Sequence, residues 1–165
     1  VSVHVMHRVG DFVAEQAPLA SVSGPAGATP ELVQSINAAC TVGRQRTLHE
    51  DAAFGIRQLV DVALKGLSPG INDVTTATMC VDYLTVIIGR LGRRRVLPRE
   101  RRAPTGRVLT SRRSYEAFVS EAFGQVRQNA EGNIAMLHHL VRAFDTLGSL
   151  TNAPARRRVL RRQLE

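Results

Sequence analysis

Two stretches of helical periodicity, separated by a run that a helix does not tolerate, constrain this chain most. Ile56, Leu59, Val60, Ala63 and Leu67 recur at the three- and four-residue spacing that lines one side of an α-helix. Val74, Ala77, Val81, Leu84, Ile88 and Leu91 repeat the pattern. Ser68-Pro69-Gly70 stands between them. Proline lacks the amide hydrogen and glycine loses the most backbone entropy, so the first helix ends there. Asn72 or Asp73 restarts helix by accepting a hydrogen bond from an amide of the next first turn. The chain must therefore contain a pair of amphipathic helices folded back at this turn. On the first, Arg57, Asp61 and Lys65 lie together on a different side, four residues apart. On the second, Thr75, Thr78, Asp82 and Thr85 take the face opposite the apolar stripe.

The remaining chain adds helices and a few strands. Thr47 and Glu50 form a capping box, which predicts that the first helix of the pair runs from there to about Lys65. Thr29-Pro30-Glu31 starts an earlier helix with Leu32, Ile36 and Ala39 as its buried stripe, while residues 41–46 fit either loop or strand. Ser114 caps a helix carrying Tyr115, Phe118, Val119, Ala122, Phe123 and Val126 on one face. After a weak point at Gly132-Asn133, Ile134, Leu137, Val141, Phe144 and Leu147 continue a stripe to Leu150, and Pro154 opens a short arginine-rich helix. At the other end Val1, Val3 and Val5 alternate at strand spacing, Gly10-Asp11 marks a turn, and Phe12-Val13 and Leu19 to Val22 read as the next strands. The expected fold class is α+β. A small hairpin or barrel-like strand assembly (1–28) precedes a mainly helical core (29–150) and a basic helix or tail (151–165).

At 165 residues, with 44% hydrophobic and 22% charged residues, the composition is that of a globular chain and excludes wholesale disorder. No uninterrupted apolar run approaches the length of a bilayer span. Cys40 and Cys80 are too few for a disulfide scaffold or an all-cysteine zinc site, and both read as buried free thiols. Of 22 basic residues only Lys65 is a lysine. The charge is unevenly placed: residues 1–88 hold five basic and eight acidic residues, residues 89–165 seventeen and six. Residues 92–113 read as an exposed loop, with Arg107 to Thr110 as a short strand at its end. Arg93, Arg94, Arg95, Arg99, Arg101 and Arg102 are its candidate contacts to an anionic partner, an acidic lipid or protein. Nucleic acid is the less favoured partner, because aromatics are 4% of the chain and none interleaves with these arginines.

The polar set Arg46, Asp51, Arg57, Asp61, Asn72 and Asp73 has two readings. One is a ligand site at two helix starts, where free amides attract anions and carboxylates hold a cation; an enzyme using Asp51, Asp61 and Asp73 with a metal or anion is its catalytic form. The other is structural, with caps and ion pairs fixing a helix–turn–helix. No nucleophile with an orienting base stands out, so no catalytic residue is assigned. His4, His7, His49, His138 and His139 lack metal-ligand spacing, and no glycine-rich phosphate loop occurs. No metal or cofactor is expected.

The segment GRQRTLHEDAAFGIRQLVDVALKGLSPGINDVTTATMCVD, from Gly43 to Asp82, resembles the signature of a bacterial family of predicted integral membrane proteins, domain of unknown function 2254. The matching positions are Gly43, Arg46, Thr47, Asp51, Phe54, Gly55, Gln58 to Asp61, Ala63, Leu67 to Asp73, Thr76 and Ala77. Val62, Gly66 and Val74 depart from it, the last where proline is usual. Gly10-Asp11-Phe12-Val13 and the Phe118/Phe123 helix also look like the family. The resemblance implies several membrane helices preceding a water-exposed region, and this chain, which begins at Val1, looks like that region. It implies an inner-membrane protein, and the basic C-terminal half favours the cytoplasmic side for this part. Together with the Arg57, Asp61 and Lys65 face it suggests a homo-oligomer with an assembly or regulatory role, for example in a channel or transporter. It implies no biochemical activity.

Overall fold

In order along the chain the elements are β1 (Ser2–Val5), β2 (Ala20–Ser23), α1 (Pro30–Ala39), α2 (Ala52–Leu67), α3 (Val74–Arg93), β3 (Glu100–Ala103), β4 (Gly106–Thr110), α4 (Tyr115–Asn129), α5 (Ile134–Leu150) and α6 (Pro154–Arg161). They come from a computed structural model that describes residues 1–25, 27–49, 51–95 and 98–164. The class is α+β, as the periodicities require. The chain forms two compact units. One comprises Val1–Asp51 with Val96–Arg112, the other Ala52–Arg95 with Arg113–Glu165.

The first unit is built on a four-stranded sheet of order β2-β1-β4-β3. β1 and β2 pair antiparallel, with Val3 opposite Val22. β4 then pairs parallel to β1, Val3 opposite Val108, and β3 closes the edge antiparallel to β4. Two expectations are corrected here. The arginine-rich segment is more than an exposed loop, because Glu100–Ala103 and Gly106–Thr110 form a hairpin. Glu100 sits among its arginines, 2.8 Å from Arg102 and 3.9 Å from Arg107, which offsets like-charge repulsion across the two strands. Phe12-Val13 is no strand, and Phe12 is 90% exposed. Left-handed residues stand on either side of it, Gly10 (φ 84) and Gln16 (φ 66), and interrupt the extended backbone a strand needs.

α1 also belongs to the first unit. Thr29 caps it by accepting from Leu32 N, as read from the sequence. Its expected buried stripe is not buried: Leu32 and Ile36 are half-buried, Ala39 is exposed, and no residue of α1 is fully covered. Cys40 ends this helix half-buried, so the buried-thiol reading holds for Cys80 alone.

In the second unit, α3 is the central helix, packed against α2, α4 and α5. Ile56, Val60 and Ala63 of α2 meet Ala77, Val81, Leu84 and Ile88 of α3, with Val119, Phe123 and Val126 of α4 and Leu140, Phe144 and Leu147 of α5 completing the core. Phe123 and Phe144 meet edge to face at 5.0 Å, a geometry worth about 0.5–1.5 kcal/mol beyond the area it buries. α2 and α3 pass closely at Gly66, where a Cβ would lie 2.7 Å from the Asp73 carbonyl oxygen. α2 starts at Ala52, four residues later than the Thr47 cap predicts; Glu50, the other half of that box, lies outside the described residues. Thr85 is buried, and its hydroxyl donates to Val81 O at 2.7 Å, so the polar face of α3 is narrower than its sequence implies. On α5 the buried side is Met136, Leu140, Ala143, Phe144 and Leu147, whereas Ile134, Leu137 and Val141 are exposed. The expected stripe was displaced around that helix. By length and composition α3 reaches what a membrane span needs, although Asp82 and Arg90 break any continuous apolar run; 33% of that window is buried in the protein.

Candidate functional site

The polar residues singled out by sequence form three local assemblies. In the first unit, Arg46 donates through Nε (2.8 Å) and Nη2 (2.6 Å) to Asp51 Oδ2. Asp51 is 5% exposed, so the pair holds a buried carboxylate. The Gly10-Asp11 turn closes on it. Gly10 has φ +84, and a Cβ there would sit 1.9 Å from Asp51 Oδ2 and 2.9 Å from Arg46 Nε. Asp11 completes the turn by accepting from Arg8 N at 2.9 Å. Arg46, Asp51 and the distant Gly10 therefore form one clasp. Sequence reasoning placed Gly10 in a turn and missed what it covers.

In the second unit, Arg57 Nη2 lies 2.7 Å from Asp61 Oδ1, and Arg57 Nη1 donates to Gln125 Oε1 at 2.7 Å, tying α2 to α4. Both charged groups are about half in water, so the ion pair contributes little. The Leu67–Asp73 run is used up in making a turn. Ser68 Oγ donates to Lys65 O at 2.7 Å, Asn72 N to Ser68 O at 2.8 Å and Asp73 N to Gly66 O at 2.8 Å. Asn72 has φ 49, a left-handed conformation that asparagine tolerates better than most residues. Asp73 is the cap of α3, accepting from Thr76 N at 3.0 Å and from the Thr76 hydroxyl. The Thr76 hydroxyl and then its amide hold the Asp73 carboxyl below its usual range. Of the pair of residues that sequence offered as caps, Asp73 takes the role. Among the described residues no group of three or more His, Cys, Asp or Glu side chains is placed to hold a metal ion.

The arginines fall into two groups. Arg99, Arg101 and Arg102 lie on or beside β3 in the first unit. Arg93, Arg94 and Arg95 are exposed at the end of α3 in the second. There the structure adds a residue that sequence reasoning did not select. Arg156, from α6, donates to the carbonyls of Gly92 and of Arg94, the latter at 3.0 Å, and lies 5.5 Å from the centroid of the Tyr115 ring. Burial raises the Tyr115 hydroxyl, and the Arg156 charge opposes the shift. Nothing in the local pattern of Arg156-Arg157-Arg158 distinguishes the arginine that turns inward.

α3 carries two further features. Cys80 is buried, which raises its thiol above the ordinary range and keeps it protonated. His139 Nε2 meets Asp82 Oδ1 at 2.8 Å, linking α5 to α3. On the outer side of α3 Met79, Tyr83 and Val86 are each about half exposed, at spacings of four and three residues, with Val62 of α2 also exposed.

Comparison with known proteins places these features in a family. Uncharacterized proteins of Mycobacterium bovis and Mycobacterium tuberculosis are 30% identical over 125 residues, 74% of this chain and 24% of each relative. The chain thus spans about a quarter of the length of the curated relatives it matches. No solved structure matches it. The family described as "Predicted membrane protein (DUF2254)" matches residues 1–146, a span that takes in the Gly10 clasp and the Leu67–Asp73 turn. The chain belongs to this family of predicted membrane proteins.

Proposed function

We propose that this chain is the assembly-forming region of a bacterial inner-membrane protein and that two copies associate through α3. In a channel or transporter such association would couple subunits and regulate the membrane part. The observation that carries this reading is the Met79–Tyr83–Val86 stripe, exposed on the helix that otherwise packs most closely. Scattered exposed apolar residues are ordinary, and α5 also exposes three in register, Ile134, Leu137 and Val141; the α3 stripe differs in the charges that flank it. The charges around the stripe complement themselves. Asp82 and Arg90 stand four residues either side of Val86. A second copy running antiparallel, with Val86 against Val86, brings each Asp82 opposite the other's Arg90, as a twofold interface requires. The cytoplasmic side is favoured by the excess of arginine over acidic residues after residue 89. The carboxylates needed by a metal- or anion-dependent enzyme are engaged in caps and ion pairs, so no observation favours that alternative.

Light scattering across a concentration series tests the reading. The expected result is a dimer or a multiple of it, and Val86→Arg should weaken association by at least about tenfold by placing like charges at the twofold axis. A monomer at every concentration, or a Val86→Arg variant that associates as the parent does, would overturn it.

A further inference from the structure

We infer a second docking surface, which shares only Arg90 with the α3 interface: the end of α3 and the outer face of α6 form one basic face that binds anionic phospholipid headgroups. Two arginine runs, more than sixty residues apart, build it. Residues 90–95 hold Arg90, Arg93, Arg94 and Arg95, residues 156–162 hold Arg156, Arg157, Arg158, Arg161 and Arg162, and neither contains an acidic residue. Arg156 joins the runs through its bonds to the Gly92 and Arg94 carbonyls. These are the carbonyls that a helix end leaves without intrahelical partners, and a cation there also meets the negative end of the helix dipole. The ring of Tyr115, packed against Gly92, holds the guanidinium from its other side. With Arg156 turned in and Leu160 buried, α6 presents Arg157, Arg158, Arg161 and Arg162 to solvent.

The distribution of charge argues that this face has a partner. Nine of the fourteen basic residues in the helical unit lie on these two runs, and the rest of that unit has five basic residues against eight acidic ones. Arginine acquired only through composition would be spread over the surface. Of the nine, Arg162 is the one with an ion pair among the described residues, to Glu116 at 3.6 Å. A face of guanidinium groups that, Arg162 apart, have no carboxylate partner among the described residues fits closely spaced phosphates, which they contact by charge-assisted hydrogen bonds. A bilayer is favoured over a nucleic acid for two reasons. Among the described residues no aromatic side chain lies within either arginine run to stack on bases, and the half-buried Tyr115 ring already has Arg156 over it. The chain also belongs to a family of predicted membrane proteins, which puts an anionic surface within reach.

The test is co-sedimentation of this chain with vesicles of phosphatidylcholine alone and of phosphatidylcholine with phosphatidylglycerol. Binding is expected only to the mixed vesicles, falling steeply with added salt. The combination Arg93→Glu, Arg158→Glu and Arg161→Glu should reduce it by about tenfold or more, since basic side chains near an anionic surface contribute additively. Lys65→Glu with Arg142→Glu, at exposed basic positions of the same unit outside the two runs, should reduce it far less. Circular dichroism checks folding, and Arg93→Gln with Arg158→Gln, a milder pair at exposed positions, should still weaken binding measurably. Equal binding to neutral vesicles, no binding to mixed ones, or undiminished binding by folded variants would overturn the inference. Tighter retention on duplex DNA than on mixed vesicles at equal salt would also overturn it, and would make this a nucleic-acid surface. Val86→Arg should bind vesicles still, so failure of the α3 association and failure of this surface are distinguishable.

Discussion

Gly10 is the position where a single atom matters most. Its φ of +84 is already costly for an L-residue, and any Cβ would be driven into the Asp51 carboxylate. Gly10→Ala should therefore open the Arg46–Asp51 clasp and destabilise the sheet unit by about 1–3 kcal/mol, the usual cost of such backbone strain. Urea unfolding checks it, and an unchanged midpoint would mean that the turn adjusts freely. The clasp shows where residue-level reading stops. The spacing of Arg46 and Asp51 suggested an ion pair, and the structure contains it. That Gly10 lies over this pair depends on how the chain returns some forty residues later, which no local pattern encodes.

At the scale of elements, capping was the most dependable signal. Thr29, Asp73, Ser114 and Asn133 each accept from a first-turn amide of their helix. Asp73 links its cap to pH. Its carboxyl is held below the usual range by the Thr76 hydroxyl and amide, so the charged form is favoured in the folded state. That contribution is complete above the ordinary carboxylate range and is lost as pH falls through the lowered value. Asp73→Ala should therefore melt at a lower temperature than the parent at neutral pH. The gap should close on acidification, as seen by calorimetry at a series of pH values. A gap independent of pH would assign the cap to Asp73 geometry without its charge. Capping failed at Thr47, where helix begins only at Ala52. A threonine side chain permits a helix start without compelling one, and the segment containing Arg46 and Asp51 is committed to the clasp of the first unit.

For the molecule as a whole, the core of the helical unit is contributed by five helices, α2 to α6, with Phe123 and Phe144 meeting in it. Phe123 is fully buried. Phe123→Ala should cost about 3–5 kcal/mol, through lost burial and the cavity left behind, and should move the main unfolding transition of the helical unit. A thermal scan followed by circular dichroism reads this directly, and a shift of only a few tenths of a kcal/mol would mean that α4 and α5 collapse into the space.

The sequence by itself determined the α+β class, the start and apolar face of α3, the turn before it and three helix caps, at Thr29, at Asn72 or Asp73, and at Ser114. These rest on forces that act within a few residues: side chains accepting from nearby amides, proline and glycine stopping helix, and side chains three or four apart sharing a face. Only the tertiary structure decided the parallel pairing of Val3 with Val108, the hairpin among the arginines, the side of α5 that is buried, and the joining of the arginine runs through Arg156. Each depends on which distant surface is available to pair with. Ile134, Leu137 and Val141 are as apolar as the residues that went inside. They stay in water because α3 and α6 lie against other faces of α5, and burial is a property of the neighbour as much as of the residue.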